Sequence, residues 1–180
     1  MRTILILLIL LLTQNLYAYR FSKYRDNIGC TYHIMDDSSF NFYKNYLQNI
    51  ISKKLSKEHT LFIDEIIITD SYIYDTSCNE GICFFNDSNT IIISTQSVNI
   101  ERTLFHEISH SMQDVYYKSA WKEIENQWRK CNKYITKYST TNINEDFAEV
   151  GSYYLTGHYN PKNIKYKLFK HFFNRISGKY

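Results

Sequence analysis

Strand-forming residues crowd the first half of this chain and helical periodicities fill the second, which predicts an α+β domain. Three observations carry that expectation. Leu61 to Thr69 and Thr90 to Ser94 are Ile-rich runs of the residue types that favour strands, and turn-forming residues flank the second. From Asn99 onward, apolar residues instead recur at three- and four-residue spacing. A length of 180 residues with 44% hydrophobic content suits one domain with a core of its own.

The elements follow in order. Tyr32 to Met35 reads as a short strand, and Asp36-Asp37-Ser38-Ser39 as the cap of a helix over about 40–55. Tyr43, Leu47, Ile50, Ile51 and Leu55 form that helix's apolar side, with Lys44, Gln48 and Lys53 on the wet side. Tyr72 to Tyr74 is a possible short partner for the strand at 61–69. Cys78 to Phe85 and Thr90 to Ser94 form the arms of a hairpin turning through Asn86-Asp87-Ser88-Asn89, residues that tolerate tight backbone. Asn99 caps a helix to about Tyr117 with Ile100, Leu104, Ile108, Met112 and Val115 as its stripe. A second helical stretch, Lys118 to Tyr134, carries Trp121 and Trp128, both expected in the core. Tyr138 to Thr141 is loop-like. Asn142-Ile143-Asn144-Glu145 resembles a capping box and opens a helix to about Leu155. Asn160-Pro161 starts the last helix, with Ile164, Leu168, Phe172 and Ile176 on one side.

The N-terminus is a targeting pattern. Arg2 precedes an uninterrupted apolar run, Ile4 to Leu12, and Leu16-Tyr17-Ala18 ends on a small residue where a signal peptidase cuts. The run falls short of the roughly 20 residues a spanning helix needs. Residues 1–18 are therefore read as a cleaved signal peptide and 19–180 as a single domain, secreted or periplasmic and without membrane attachment after cleavage. Losing Arg2 lowers the formal charge from +3 to +2, which argues against nucleic acid as a partner. The oligomeric state is left open, with a monomer as the default. Cys30, Cys78, Cys83 and Cys131 fit an exported chain with up to two disulfides, Cys78–Cys83 and Cys30–Cys131 being the favoured pairing. With no C-x-x-C pair, a cysteine zinc cluster is disfavoured.

The chemistry centres on Phe105-His106-Glu107-Ile108-Ser109-His110, which reads His-Glu-x-x-His. Two imidazoles four residues apart lie on one helix face, where both can reach a single Zn²⁺ at about 2.0–2.1 Å. Glu107 stands beside that point, placed to take a proton from the water a zinc activates. The bland alternative is two surface histidines on an amphipathic helix. A catalytic zinc needs a third protein ligand and one open position. A metzincin ligand would be His six residues after His110, but that residue is Tyr116. A Glu on a later helix, followed four residues on by an acid, is met by Glu145 with Glu149. Glu145 is then the ligand, and Glu149 accepts a hydrogen bond from a ligand histidine. The alternative for Glu145-Asp146 is an acidic first turn favoured by the helix dipole. His33, His59, His158 and His171 stand in no motif and are read as surface or core residues.

Taken together, His106-Glu107-Ile108-Ser109-His110, Tyr138 and Glu145-Asp146-Phe147-Ala148-Glu149 resemble the metallopeptidase domain of the anthrax-lethal-factor type, a family that includes the Pro-Pro endopeptidases. The resemblance spans about residues 81–155. That family has a Tyr seven residues before its Glu ligand, as Tyr138 stands to Glu145. It also has an acidic counterpart of Asp114, and a Gly where Ser109 stands. The resemblance implies a zincin-like fold: a small mixed sheet, an active-site helix and a C-terminal helical part. It implies one Zn²⁺, a peptide or protein substrate, Glu107 as general base and acid, and the Tyr138 hydroxyl as a donor to the oxyanion. Ile82, Cys83, Phe84 and Phe85 are the candidate strand for pairing with substrate backbone. The expected function is a secreted zinc endopeptidase. The alternative is a secreted zinc-binding interaction module without turnover.

Overall fold

The structure, a computed structural model, describes residues 21–25, 31–35, 38–61, 63–69, 82–85, 90–94, 97 and 99–178. Five strands form one mixed sheet: β1 (Phe21–Arg25), β2 (Thr31–Met35), β3 (Glu65–Thr69), β4 (Ile82–Phe85) and β5 (Thr90–Ser94), in the order β1-β2-β3-β5-β4. β2 and β5 run parallel to β3, while β1 and β4 are antiparallel to their neighbours and close the two edges. The two arms expected to flank 86–89 pair antiparallel, with Ile82 opposite Ile93 and Phe85 opposite Thr90, while 86–89 themselves lie outside the described residues. β1 had no clear pattern in the sequence. Tyr72–Tyr74, the segment 1–18, Cys30 and Cys78 lie outside the described residues.

β5 lies between β3 and β4, and every residue of Thr90-Ile91-Ile92-Ile93-Ser94 is buried. A strand covered on both faces loses the polar alternation of an exposed one, which is why it reads as a continuous apolar run. The parallel β2–β3 crossover passes through α1 (Ser38–Lys54) and the one-turn α2 (Lys57–Thr60). Leu47, Ile50 and Ile51 of α1 are buried with Ile66 and Ile68 of β3 in one core.

The second half is helical: α3 (Ile100–Tyr116), α4 (Lys122–Arg129), α5 (Ile143–Leu155) and α6 (Ile164–Ile176). A π-turn at Tyr117–Trp121 joins α3 to α4, and a 3₁₀ turn at Tyr138–Thr140 precedes α5. Leu104, Ile108 and Met112 of α3 are buried, as the stripe predicts, and Phe105 joins them. α4 ends at Arg129, earlier than the expected Tyr134. Trp121 and Trp128 are core residues, 1% exposed each. Both pack on Phe147 of α5, with ring centroids 4.9 and 5.3 Å away, and Phe169 and Phe172 of α6 complete the cluster at 5.1 and 5.0 Å. His59 is buried, its Nδ1 meeting Ser56 and its Nε2 the carbonyl of Phe173, while His158 and His171 are exposed.

The sequence reading of α6 needs a correction. The helix begins at Ile164, capped by Asn163, not at Asn160-Pro161. Ile164 is 42% exposed, whereas Lys165 is 1% exposed. Lys165 turns inward because its Nζ donates to Asp146 Oδ2 at 2.6 Å, beneath the Tyr134 ring, whose centroid is 4.2 Å away. Trp128 Nε1 donates to the same oxygen at 2.7 Å. Burial pushes the Asp146 carboxyl up, while Lys165 and Trp128 pull it back toward the charged form. This contact ties α4 and α6 to the first turn of α5. Removing one partner of a buried pair leaves the other charge without compensation. Lys165→Ala is therefore expected to cost about 3–5 kcal/mol of unfolding free energy, measured by urea denaturation; a loss under 1 kcal/mol would show that the pair contributes nothing net.

Candidate metal and catalytic site

The site lies where α5 crosses α3. His106 and His110 project from α3 one turn apart, their ring centroids separated by 4.8 Å. Across from them, Asn142 caps α5, its side-chain oxygen accepting from the backbone N–H of Asn144 and Glu145 at 2.9 and 3.0 Å. That cap fixes Glu145 in the first helical turn, close to the positive end of the helix dipole. The expected capping box is only half formed. In place of the return contact a capping box would have, the Glu145 carboxylate reaches the two histidines.

Three atoms converge: His106 Nε2, His110 Nε2 and Glu145 Oε2. Their separations are 3.2 Å between the nitrogens, 3.0 Å from His106 to Glu145, and 3.4 Å from His110 to Glu145. A tetrahedral zinc with bonds of about 2.0–2.1 Å has ligand atoms roughly 3.3 Å apart. Hydrogen bonds serve the triangle less well. Each nitrogen carries at most one proton and the ionised carboxylate none, so two protons face three contacts. A single cation satisfies all three, and this donor set is the only such group of His, Cys, Asp or Glu among the described residues.

The far nitrogen of His106 is held as well. Its Nδ1 lies 3.1 Å from Glu149 Oε1, one turn beyond Glu145 on α5. Arg102, one turn before His106, donates from Nη2 to both oxygens of Glu149 at 3.3 and 3.1 Å. Sequence reading missed Arg102; its i, i+4 spacing from His106 was the available signal. Burial works against a charged His106, but the hydrogen bonds it donates to Glu145 and Glu149 outweigh it and push its pKa up to about 9. Burial likewise raises the Glu145 and Glu149 carboxyls. His106 and His110 outweigh it at Glu145, holding it far below the ordinary carboxylate range, and His106, with smaller help from Thr136 and Arg102, holds Glu149 below it.

Glu107 is buried to 9% exposure on α3, and its charge is felt at both His106 and Tyr138. The Tyr138 ring lies 5.8 Å from that of His106 and is half exposed. Its turn is fixed from below: Ser139 N–H donates to Thr136 Oγ1 at 3.0 Å, and Ser139 Oγ donates to the Thr136 carbonyl at 2.7 Å. Burial and the neighbouring Glu145 charge push the Tyr138 hydroxyl up to about 12, so it remains a proton donor at neutral pH. The structure thus brings together His106, Glu107, His110, Tyr138, Glu145 and Glu149. The side chain of Asp114 and those of Ile82, Cys83, Phe84 and Phe85 lie outside the described residues, though the β4 backbone forms a sheet edge. Cys131 carries a free thiol in this structure, and Cys30, its expected partner, lies outside the described residues.

Close approach of the two helices makes this geometry possible. Ser109, fully buried within the motif, donates its hydroxyl to the Phe105 carbonyl at 2.7 Å. Gly151 of α5 lies directly opposite. A β-carbon there would collide with Ser109 Oγ and come within 2.6 Å of Phe169.

Residues 84–167, just under half of the chain, match the model of a family described as "Putative zinc-binding metallo-peptidase". The match covers His106, Glu107, His110, Tyr138, Glu145 and Glu149. It supports a zinc-binding peptidase as the class of protein that this site defines. A search of curated proteins finds no match.

Gly151→Ala is expected to push α5 from α3 and separate Glu145 from the histidines. Zinc affinity, measured against a chromogenic chelator, should fall at least tenfold. An unchanged affinity would mean that the helices tolerate a wider crossing.

Proposed function

We propose that this chain is an exported zinc endopeptidase of the type found in the anthrax-lethal-factor family, with His106, His110 and Glu145 as ligands of one Zn²⁺. The observation that carries the reading is the triangle of donor atoms with edges of 3.0, 3.2 and 3.4 Å. The family match over 84–167 supports the class. The zincin-like fold has support from the mixed sheet packed beside an active-site helix. Export rests on the sequence pattern of residues 1–18. No described helix is long and apolar enough to cross a membrane.

A zinc ion at this triangle supplies Lewis acidity, polarising the scissile carbonyl and making water a stronger acid. The rest belongs to the chain's own residues. Glu107 accepts the proton of the attacking water and passes it to the leaving amine. The Tyr138 hydroxyl donates to the oxygen on which negative charge develops, a contact worth about 3 kcal/mol in such sites. Glu149 accepts from His106 Nδ1, which leaves Nε2 facing Glu145 and His110. β4 is an edge strand with its N–H and C=O groups available along one side for an extended peptide, in the manner of strand addition.

The decisive experiment incubates the mature protein with a peptide library, with and without chelator. Chelator-sensitive cleavage is expected. Glu107→Ala should abolish it with zinc still bound, and Tyr138→Phe should lower kcat on the order of a hundredfold. Zinc binding without any cleavage would favour the inactive interaction module, and no bound zinc would remove the metal reading.

The pH dependence has a definite sign. In the ion-free site His106 has its pKa raised from 6.5 to about 9. The stability it gives that state is fully present below about 6.5 and lost as pH rises through about 9. A metal must displace this proton, so zinc affinity should rise with pH, by at most about tenfold per unit for one proton, and level off above 9. Competition titrations at pH 6, 7 and 8 measure it; an affinity flat over that range contradicts the assignment of His106 as a ligand.

A further inference from the structure

Arg102 has no part in the reaction outlined above, yet it is built into the support of the site. It stands on α3 in register with His106 and His110, one turn earlier. Its single nitrogen Nη2 reaches both oxygens of Glu149. Glu149 is 3% exposed, and its Oε1 is also the atom that meets His106 Nδ1. A carboxylate buried this far stays ionised only beside a compensating cation. Arginine is suited to that position because it keeps its charge in any solution the fold survives.

Two further contacts hold Arg102 in place. Its backbone N–H donates to Asn99 Oδ1 at 3.0 Å in the cap of α3. Its guanidinium lies over the Tyr153 ring, 4.6 Å from the centroid. Tyr153 is on α5, one turn beyond Glu149, so the guanidinium is held between two α5 side chains. The arrangement is a relay: Arg102 fixes the Glu149 carboxylate, and the carboxylate fixes the imidazole.

We propose that Arg102 is a positioning residue for the metal ligand His106, acting through Glu149. By anchoring both carboxylate oxygens, it keeps Oε1 aimed at Nδ1 and so keeps Nε2 turned toward His110 and Glu145. This role rests on the zinc-site reading above, and it does not depend on whether the site cleaves peptides. An ordinary interhelical ion pair would add to folding stability but, with the α3–α5 distance set by Ser109 against Gly151, would leave metal affinity alone.

The test is the zinc dissociation constant, read against a chromogenic chelator and independent of turnover. Wild type is compared with Arg102→Met, Arg102→Lys, Glu149→Gln and the double variant Arg102→Met/Glu149→Gln. Arg102→Met is expected to weaken zinc binding about 10- to 100-fold, the range for residues that orient a ligand. Arg102→Lys should recover only part of the loss, because an ammonium can replace the single nitrogen in use but not the guanidinium's seat over the Tyr153 ring. In the Glu149→Gln background the same Arg102→Met change should add little, since the relay is already broken. If Arg102→Met does not fold, Arg102→Gln is carried through the same comparison. A wild type that holds no zinc removes the metal reading and this role together. A wild type that binds zinc, with an Arg102→Met variant that binds it equally well, removes this role alone. Full additivity of the two changes also overturns it, by making Arg102 independent of Glu149.

Discussion

The contact between Ser109 and Gly151 sets the distance between α3 and α5, and the site depends on that distance. Ala148, Gly151 and Ser152 give α5 a face of small residues, all buried, so two helix backbones meet closely beside the charged side chains. The carboxylates of Glu145 and Glu149 are short, and they reach the imidazoles only because the crossing is tight. One β-carbon at 151 would wedge it open. The motif's own Ser109 takes part, with its hydroxyl turned back onto the Phe105 carbonyl and so needing no partner across the interface. The donor atoms contributed by the two helices are thereby held together by packing alone.

The second constraint is charge. α5 carries Glu145, Asp146 and Glu149 within five positions, the last two buried and the first partly so, an arrangement that would repel itself if the three acids shared one environment. Helical geometry separates them. Glu145 and Glu149 lie about 40° apart on the face toward α3, while Asp146 is turned about 100° from Glu145. Each then finds its own compensation: the two imidazoles for Glu145, Arg102 and His106 for Glu149, Lys165 and Trp128 for Asp146. The first pairing gathers the donor atoms a cation needs. The third anchors the helix to α4 and α6 on a neighbouring face. A helix held on two faces has little freedom to rotate, and rotation is the motion that would pull Glu145 off the histidines.

Tyr138 completes the arrangement from a different kind of element. A single 3₁₀ turn presents it, fixed by the reciprocal contacts of Thr136 and Ser139, with the ring left half exposed. The helices hold the candidate metal ligands and the turn holds the Tyr138 hydroxyl, so packing constrains the first while local hydrogen bonding constrains the second.

Much of this was legible in the residues. His106 and His110 could only share a face, because four residues on a helix bring a side chain back to the same side. The β-branched run Thr90–Ser94 and the stripe Leu104, Ile108, Met112 follow from the same periodic geometry. Glu145 and Glu149 were found by spacing and by analogy. Other features had no local signal. The apolar stripe of the last helix includes Ile164, and only the buried Asp146 turns Lys165 inward in its place. Nothing along the chain marks Gly151, whose part comes from Ser109 and Phe169 standing against it. Arg102 carried a hint in its spacing, but a spacing cannot reveal an acid 47 residues away. The sequence by itself determined most of the elements, the His-Glu-x-x-His motif and the face on which it sits, since those depend on neighbours along the chain. Only the tertiary structure decided which acid meets which base and how near, because burial and close packing belong to residues that the chain places far apart.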